Sequence, residues 1–202
     1  MTDSARGREE AAADLRRGKR ERLVAAAREL LYRRGVEKTT LADIAQAADV
    51  PVGNVYYYFK TKDEIIGAVI DSHVHDIQAE LASLERRHGT PGARLKALID
   101  ALADQGEAIA QYGCPHGTLC SELDKRATPP GDGSVAELLR IPIDWAEQQF
   151  RSMGRHDARD LAVSLIAAYQ GTALLTSTLR DQALLVRESR RLERWIDSLQ
   201  AT

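Results

Sequence analysis

Apolar residues recur every three or four positions along most of the chain, a spacing that predicts α-helices from end to end. In the first predicted helix, Leu23, Ala27 and Leu30 share one face, and Gly35 is a typical residue just past a helix end. Alternating β-branched runs bounded by turns are absent, so the predicted fold class is all-α. Later helices are expected at about 52–58, 62–87, 92–111, 119–126, 157–180 and 182–199, with one more after Ser134 that Pro142 should kink.

Two capping signals divide the first third of the chain. Thr40 to Asp43 is a capping box that predicts a short helix, and Thr61 to Glu64 predicts the start of a long one. Asp49-Val50-Pro51 is the break between the two short helices. This region is therefore expected to hold two short helices joined by a tight turn.

Composition limits where the protein could act. The chain has 202 residues, 44% hydrophobic, enough for a sizeable core. No run approaches eighteen uncharged apolar residues, so no membrane-spanning helix is expected. The N-terminus is charged and lacks the apolar stretch of a secretory signal, and two cysteines argue against a disulfide scaffold. We expect a cytoplasmic protein.

Positive charge is concentrated before the short helices. Nine basic residues stand against three acidic ones between positions 16 and 38. Clustered cations of this kind favour contact with a polyanion such as DNA. A solvated helix face with ordinary ion pairs would have the same composition, so charge alone does not decide between them.

The third helix carries the residues that suggest a DNA reader. Two short helices that follow a basic helix predict a helix-turn-helix. Tyr56, Tyr57 and Tyr58 fan across about 200° of helix, so they cannot all face one core. Val55 and Phe59 share a face and are expected in the core, whereas Tyr56 and Tyr57 are expected to contact phosphates or sugar edges.

The segment from Thr39 to Glu64, including Val50-Pro-Val-Gly-Asn-Val-Tyr-Tyr-Tyr-Phe59, resembles the DNA-binding domain of the tetracycline-repressor (TetR) family. The resemblance implies a homodimer with each recognition helix in a major groove, on half-sites about one turn apart. Position 51 is Pro where the family often has Ser, and position 52 is Val where a basic or small polar residue is frequent. The DNA-contacting residues carried over by position are Thr40 and Lys62 on phosphates and Val52, Gly53, Asn54, Tyr56 and Tyr57 in the groove.

The same resemblance implies a division of the chain. Residues 1–17 are expected to form a flexible basic arm, 18–74 the DNA-binding domain with its helix-turn-helix at about 40–59, and 75–202 a larger helical domain for ligand binding and dimerisation. The implied function is a transcriptional regulator, more specifically a repressor that a small-molecule inducer releases from a palindromic operator. The long helix at about 62–87 would transmit the change. No cofactor is expected.

Candidate ligand-contacting residues lie where aromatic residues interrupt the aliphatic pattern of the second domain, although such residues are often core. The predicted pocket residues are Leu102, Tyr112, Cys114, Leu119, Leu138, Trp145, Phe150, Ile166 and Tyr169. Small residues would permit close packing of helices in a dimer bundle. The predicted interface residues are Ala168, Gly171, Leu175, Leu185, Leu192 and Trp195.

Cys114-Pro-His-Gly-Thr-Leu-Cys120 is open to two interpretations. A nearby helix N-terminus and a protonated His116 could stabilise a Cys114 thiolate and give a redox or electrophile sensor, or the segment could be a structural turn with buried thiols.

His73 and His75 point to different sides of one helix, so no metal site is expected. Enzymatic fingerprints are absent, which argues against an enzyme; a helical adaptor that binds protein instead of DNA is the other alternative.

Overall fold

The fold is all-α, as the sequence predicted. The computed structural model describes residues 3–126 and 134–200, and the side chains of residues 18–126 and 135–199. No strand occurs in these ranges. The helices are α1 Asp3–Arg34, α2 Leu41–Ala47, α3 Val52–Tyr58, α4 Lys62–Arg87, α5 Pro91–Ala103, α6 Gly106–Tyr112, α7 Pro115–Asp124, α8 Glu137–Ser152, α9 Ala158–Leu179 and α10 Gln182–Gln200, and a 3₁₀ turn at Ser134–Ala136 precedes α8.

Several helix ends differ from the predicted ones. Helix α1 begins at Asp3 and so includes most of the segment 1–17 that was expected to be a flexible arm. The helix predicted at 92–111 is two helices, because the chain turns after Ala103 where Gly106 approaches the start of α10. A Cβ on Gly106 would lie 3.2 Å from the Gln182 amide.

Helix α7 starts at Pro115, four residues before the predicted start. Proline is favoured in the first turn of a helix, since the missing N–H has no partner there anyway. Cys114 is the residue before the helix, and its sulfur accepts a hydrogen bond from the backbone N–H of Gly117 at 3.5 Å. Only Gly113 and Cys114 thus separate the end of α6 from the start of α7.

Two large clusters of buried residues form the core. The first joins α1 to α4 and extends into the second half of the chain through Leu119 and Leu123 of α7 and Leu138 of α8. The second joins the end of α4 to α5, α8, α9 and α10 around Phe150 and Leu165. Helix α4 belongs to both clusters, so it runs unbroken across the predicted domain boundary at residues 74–75.

Helix α9 is more apolar than the sequence analysis expected of any segment. By length and composition it could cross a membrane, the one such helix in the described ranges. The prediction that no segment qualifies required an uninterrupted apolar run, whereas residues 161–179 carry no charge but include Ser, Thr, Gln and Tyr among the apolar residues. Here one face of α9 is buried against α6, α8 and α10, with Leu165 and Tyr169 in the interior.

Candidate DNA interface and ligand cavity

The start of α2 is a capping box, as predicted. The Thr40 hydroxyl accepts a hydrogen bond from the Asp43 backbone N–H at 3.1 Å, and the Thr40 backbone N–H donates to the Asp43 carboxylate at 2.9 Å. The hydroxyl also donates to that carboxylate, and these bonds lower the pKa of Asp43. Thr40 therefore uses both of its donors within the box, and a phosphate would have to compete with Asp43 for them.

The turn between α2 and α3 is tight. Asp49 adopts a left-handed conformation with φ of 51°, which Asp tolerates better than most residues. The next backbone N–H, that of Val50, donates to the Ala45 carbonyl at 3.0 Å, and the Val50 side chain is buried. Val55 and Phe59 lie in the core as predicted. These contacts hold one face of α3 against α2, and the opposite face of α3 is exposed to solvent.

The outer face of α3 presents the groove-facing residues that the sequence predicted. Tyr56 is 51% exposed, Tyr57 is 63% exposed and Val52 is 45% exposed. Gly53 and Asn54 are exposed as well. The third tyrosine, Tyr58, instead packs against the first core cluster. The face therefore combines aromatic, amide and apolar groups, although contact with DNA stays a prediction.

Basic groups flank this face. Lys62 begins α4, and its ammonium lies 3.5 Å from the Glu37 carbonyl oxygen, beside the loop that leads into α2. Lys60 is exposed and bonds the Tyr56 carbonyl at the end of α3. Lys60 was not among the predicted DNA-contacting residues, although its position directly after Phe59 indicates that it lies close to α3. The Arg20 guanidinium lies over the Phe59 ring, 5.2 Å from its centroid, and so ties basic α1 to α3.

A cavity of about 530 Å³ lies between α1, α4, α5, α7, α8 and α9, a size typical of small-molecule sites. Four of the nine predicted pocket residues line it, namely Leu102, Leu138, Ile166 and Tyr169. The polar residues that line the cavity were not predicted from the sequence. That lining comprises Arg28, Glu29, Tyr32, His73, Asp76, Glu80, Gln105, His116 and Gln170.

The other five predicted pocket residues lie elsewhere, because aromatic or apolar character alone does not separate a cavity wall from core. Leu119 belongs to the first core cluster and Phe150 to the second. Trp145 packs in the second cluster, where its indole N–H donates to Glu85 at 2.8 Å. Tyr112 meets Tyr32 edge to face with ring centroids 5.4 Å apart, and Cys114 is buried in a third, smaller cluster with Ile109 and Tyr169.

Arg28 organises the polar end of the cavity. Its guanidinium donates to the Asp76 carboxylate at 2.6 Å and to the Ser72 hydroxyl at 3.0 Å, both on α4. His73 and His116 meet edge to face beside it, with ring centroids 5.0 Å apart. Burial, helped by the nearby Arg28 charge, lowers the pKa of His73 to about 3 and that of His116 to about 4. Both imidazoles are therefore neutral at pH 7.

Helix α7 spans from the cavity to the helix-turn-helix. Its first residues, Pro115 and His116, line the cavity. Near its other end, the Glu122 carboxylate accepts a hydrogen bond from the Val36 backbone N–H at 2.5 Å, just after α1. Arg126, beyond α7, pairs with Asp63 of α4 at 2.7 Å. A displacement of α7 would thus act on both α1 and α4.

The two cysteines have the surroundings of structural residues. Cys114 is 6% exposed, and its sulfur accepts from the Gln170 amide at 3.6 Å. The Cys120 thiol donates to the Val135 carbonyl at 3.5 Å, and burial raises its pKa to about 11. His116 is neutral and so does not supply the positive charge that a thiolate needs. These features disfavour the sensor interpretation.

An unpaired apolar face runs along α9 and onto α10. Leu174, Leu175 and Leu179 are each more than half exposed, and Val163 and Val186 are 44% and 40% exposed. Of the predicted interface residues, Leu175 and Gly171 are exposed on α9. Ala168 and Trp195 are partly buried against the second core cluster, and Leu185 and Leu192 are buried inside their own chain, so those two do not lie on this face.

No metal cluster occurs among the side chains that the structure describes. His73 faces the cavity and His75 faces solvent, as their spacing on α4 predicted.

The fold combines a helix-turn-helix, whose outer helix face is exposed, with a cavity between α1 and the helices that follow the helix-turn-helix. Residues 23–69 match the family model of bacterial regulatory proteins of the tetR family. An uncharacterized HTH-type transcriptional regulator of Lactococcus lactis is 30% identical over 185 residues, covering 84% of this chain and 88% of its own. The repressor DhaR of a Mycobacterium species is 31% identical over 166 residues, covering 77% and 80%. The chain belongs to the TetR family.

Solved structures share the fold. A TetR regulator of Chloroflexus aurantiacus superposes with a TM-score of 0.80 at 22% identity, covering 91% of this chain and 96% of its own. A TetR-family regulator of Agrobacterium tumefaciens superposes with a TM-score of 0.79 at 21% identity, covering 89% and 97%. These likenesses show the shared fold, whereas the family membership given by the family model and the curated relatives makes the chain a DNA-binding transcriptional regulator.

Proposed function

We propose that the protein is a homodimeric repressor that leaves its operator when a small molecule fills the cavity. The observation that carries this proposal is that α1, a helix of the DNA-binding domain, forms one wall of the cavity through Arg28 and Tyr32. A ligand that contacts this wall acts directly on the helix against which α2 and α4 pack. One relative is named as the repressor DhaR, which supports repression of transcription over activation.

The DNA-binding part comprises residues 18–74. The exposed face of α3 enters the major groove, where Asn54 and Val52 meet base edges and Tyr56 and Tyr57 meet the backbone. Lys62 pairs with a phosphate. Because few of these groups hydrogen-bond bases, phosphate contacts and DNA shape supply much of the affinity. The site of action is the chromosome, which places the protein in the cytoplasm.

Residues 75–202 bind the ligand and the second subunit. Two copies of the apolar face on α9 and α10 cover each other in a two-fold bundle, which removes Leu174, Leu175 and Leu179 from water. A two-fold dimer presents two copies of α3, so the operator is a palindrome with half-sites about one turn apart.

Release follows from a population shift. The ligand prefers the arrangement in which the two copies of α3 are wrongly spaced for DNA, and α4 carries the change together with α7. Moving a mostly bound repressor to mostly free takes several kcal/mol of differential affinity. The pairing of Glu122 with Val36 and of Arg126 with Asp63 supports a role for α7 in this transmission.

The test begins with selection of a random duplex library by the purified full chain, followed by titration of the selected duplex against salt. We expect an enriched palindrome and a steep loss of affinity with salt, because phosphate contacts release counterions. A folded, dimeric protein that enriches no sequence at several salt concentrations would contradict the proposal and favour the adaptor alternative. With the duplex in hand, a small-molecule library is screened for loss of binding, and a library without any releasing compound would argue against induced release.

A further inference from the structure

We propose that the cavity selects an uncharged, mainly apolar molecule with a hydrogen-bonding group at one end. This inference rests on the proposed function, since it names the ligand of the same cavity. The polar end of the molecule would contact Arg28 and the two histidines, and its apolar body would lie against α5, α8 and α9. The charged groups around the cavity are paired with one another or with nearby residues of opposite sign.

Each charged group that the structure describes in the cavity wall has a partner of opposite sign. Asp76 is paired with Arg28 at 2.6 Å, within the wall itself. Glu80 is paired with Arg87 at 3.0 Å. Glu29 is paired with Arg33 one turn along α1. A charged ligand therefore finds no unpaired counterion among these groups.

A carboxylate entering the cavity would have to compete for Arg28 with Asp76, which would then lie beside it as a like charge. An ammonium group would approach Asp76 only with Arg28 next to it. Either ion would give up its hydration for incomplete compensation, which is costly for a charge and much less so for a hydroxyl or carbonyl. The Arg28–Asp76 pair at the polar end of the cavity therefore favours neither sign of charge on a ligand group beside it.

The histidines offer neutral hydrogen bonds instead. Arg28 has only donors, and one of its nitrogens lies 3.5 Å from Nδ1 of His73, so Nδ1 presents its lone pair and Nε2 carries the proton. His116 is neutral as well, with its pKa lowered to about 4. His73 can therefore donate to a ligand through Nε2, and His116 has one donor and one acceptor nitrogen, which suits a hydroxyl. Gln105 and Gln170 add two more neutral polar groups to the wall.

The rest of the wall is apolar. Leu81 and Ile77 come from α4, Leu98 and Leu102 from α5, and Ile166 from α9. Removing an alkyl chain from water against these residues favours binding. The combination fits a molecule with a single polar end.

The experiment uses three probes that share one body: 4-hexylphenol, 4-hexylbenzoate and 4-hexylbenzylammonium. Their dissociation constants for the full chain are measured by calorimetry at pH 7, without DNA. We expect the phenol to bind at least tenfold more tightly than either ion. If either ion binds most tightly, or if none of the three binds, the proposal is overturned.

Two variants separate charge pairing from simple hydrophobicity. Asp76→Asn leaves Arg28 unpaired, so the affinity for the benzoate relative to the phenol should rise about tenfold. Arg28→Gln leaves Asp76 unpaired, so the affinity for the ammonium probe relative to the phenol should rise. Each variant is first checked for its helix content and melting temperature. His75→Ala, on the exposed side of α4, is the matched control and should leave all three constants unchanged. Ratios that stay the same in both charge variants would overturn the proposal.

Release of DNA is measured separately, with the duplex from the library selection. If the phenol binds as expected but does not release the duplex, the ligand inference stands and the release mechanism fails. If DNA binding itself is absent, the calorimetric result still decides the ligand inference.

Discussion

The imidazoles of His73 on α4 and His116 on α7 meet edge to face with centroids 5.0 Å apart, and this contact joins two helices at the polar end of the cavity. Arg28, which bonds Asp76 and Ser72, brings α1 to the same point. Helices from the DNA-binding part and from the rest of the chain thus share one small group of side chains. The electrostatic state of this group should affect both stability and regulation.

Acidification should destabilise the protein through these two histidines. Their pKa values in the folded state, about 3 and about 4, lie below the ordinary value of 6.5. The unfolded chain therefore binds more protons below pH 6.5, and the free energy of unfolding falls as the pH decreases through that value. Between pH 7 and pH 4.5 the loss should be about 2 kcal/mol per histidine.

Urea titrations at a series of pH values measure this loss. The control is the double variant His73→Gln, His116→Gln, which cannot take up these protons and should lose much less stability over the same range. Exposed carboxylates such as Asp43 and Asp157, whose pKa values are lowered, contribute mainly below this window. Equal slopes for the wild-type chain and the double variant would contradict the assignment.

The junction between α1 and α7 should be sensitive to a side chain at Gly35. Gly35 has φ of +85°, and a Cβ there would lie 3.0 Å from the Glu122 carboxylate that caps the Val36 N–H. Gly154 has φ of +82° with open space around it, so Gly154→Ala measures the backbone strain alone, about 1 kcal/mol. Gly35→Ala should lower the free energy of unfolding by about 1–2 kcal/mol more, since the Glu122 hydrogen bond is disturbed. Equal losses in the two variants would mean that the carboxylate moves aside freely.

The sequence predicted the helix-turn-helix well because its signals are local. Capping residues, a break before Pro51 and apolar positions four apart determine short helices without reference to distant parts of the chain. For the same reason α4 was predicted with its observed ends. The split between α5 and α6 was missed because it depends on the approach of α10 to Gly106.

The cavity was harder to predict, because its wall is assembled from six helices. Periodicity shows that Phe150 and Ile166 are both internal, yet only the packing shows that Ile166 borders a cavity and Phe150 is core. The charged wall residues resemble surface residues in sequence; Arg28 belongs to a basic stretch that was interpreted only in terms of DNA. Leu185 and Leu192 were predicted at the dimer surface but are buried within the chain. The apolar face of a helix looks the same in sequence whether it packs inside its own chain or against a second subunit.

Tyr57 should contribute to DNA affinity without choosing the sequence. Its side chain is 63% exposed on the outer face of α3, where a phenolic hydroxyl can reach a phosphate. Tyr57→Phe should therefore weaken binding to the selected palindrome and to unrelated duplexes by a similar factor, about threefold to tenfold. Fluorescence anisotropy at constant salt measures both, with Tyr112→Phe as a control far from α3 in the chain. Unchanged affinity would rule out the phosphate contact.

Asn54 should contribute to the choice of DNA sequence if its amide hydrogen-bonds a base. The residue is exposed in the first turn of α3, and an amide can bond the two groups of adenine that face the major groove. Asn54→Ala should then change which palindromes the library selection enriches and reduce discrimination at one base pair by about 1–3 kcal/mol. A uniform loss across all duplexes would instead assign Asn54 to the DNA backbone.

The apolar face of α9 should determine the oligomeric state. Leu174 is 67% exposed in the single chain, so burial of this leucine and its neighbours on a second copy removes a substantial apolar area from water. Leu174→Glu places a charge in that contact and should convert the dimer to a monomer in sedimentation velocity measurements, because an unpaired buried charge costs far more than the lost leucine contacts. Operator affinity should fall with it, since a monomer binds one half-site. Val52→Glu, an equivalent substitution on exposed α3, should leave the protein dimeric, and a Leu174→Glu protein that also remains dimeric would place the interface elsewhere.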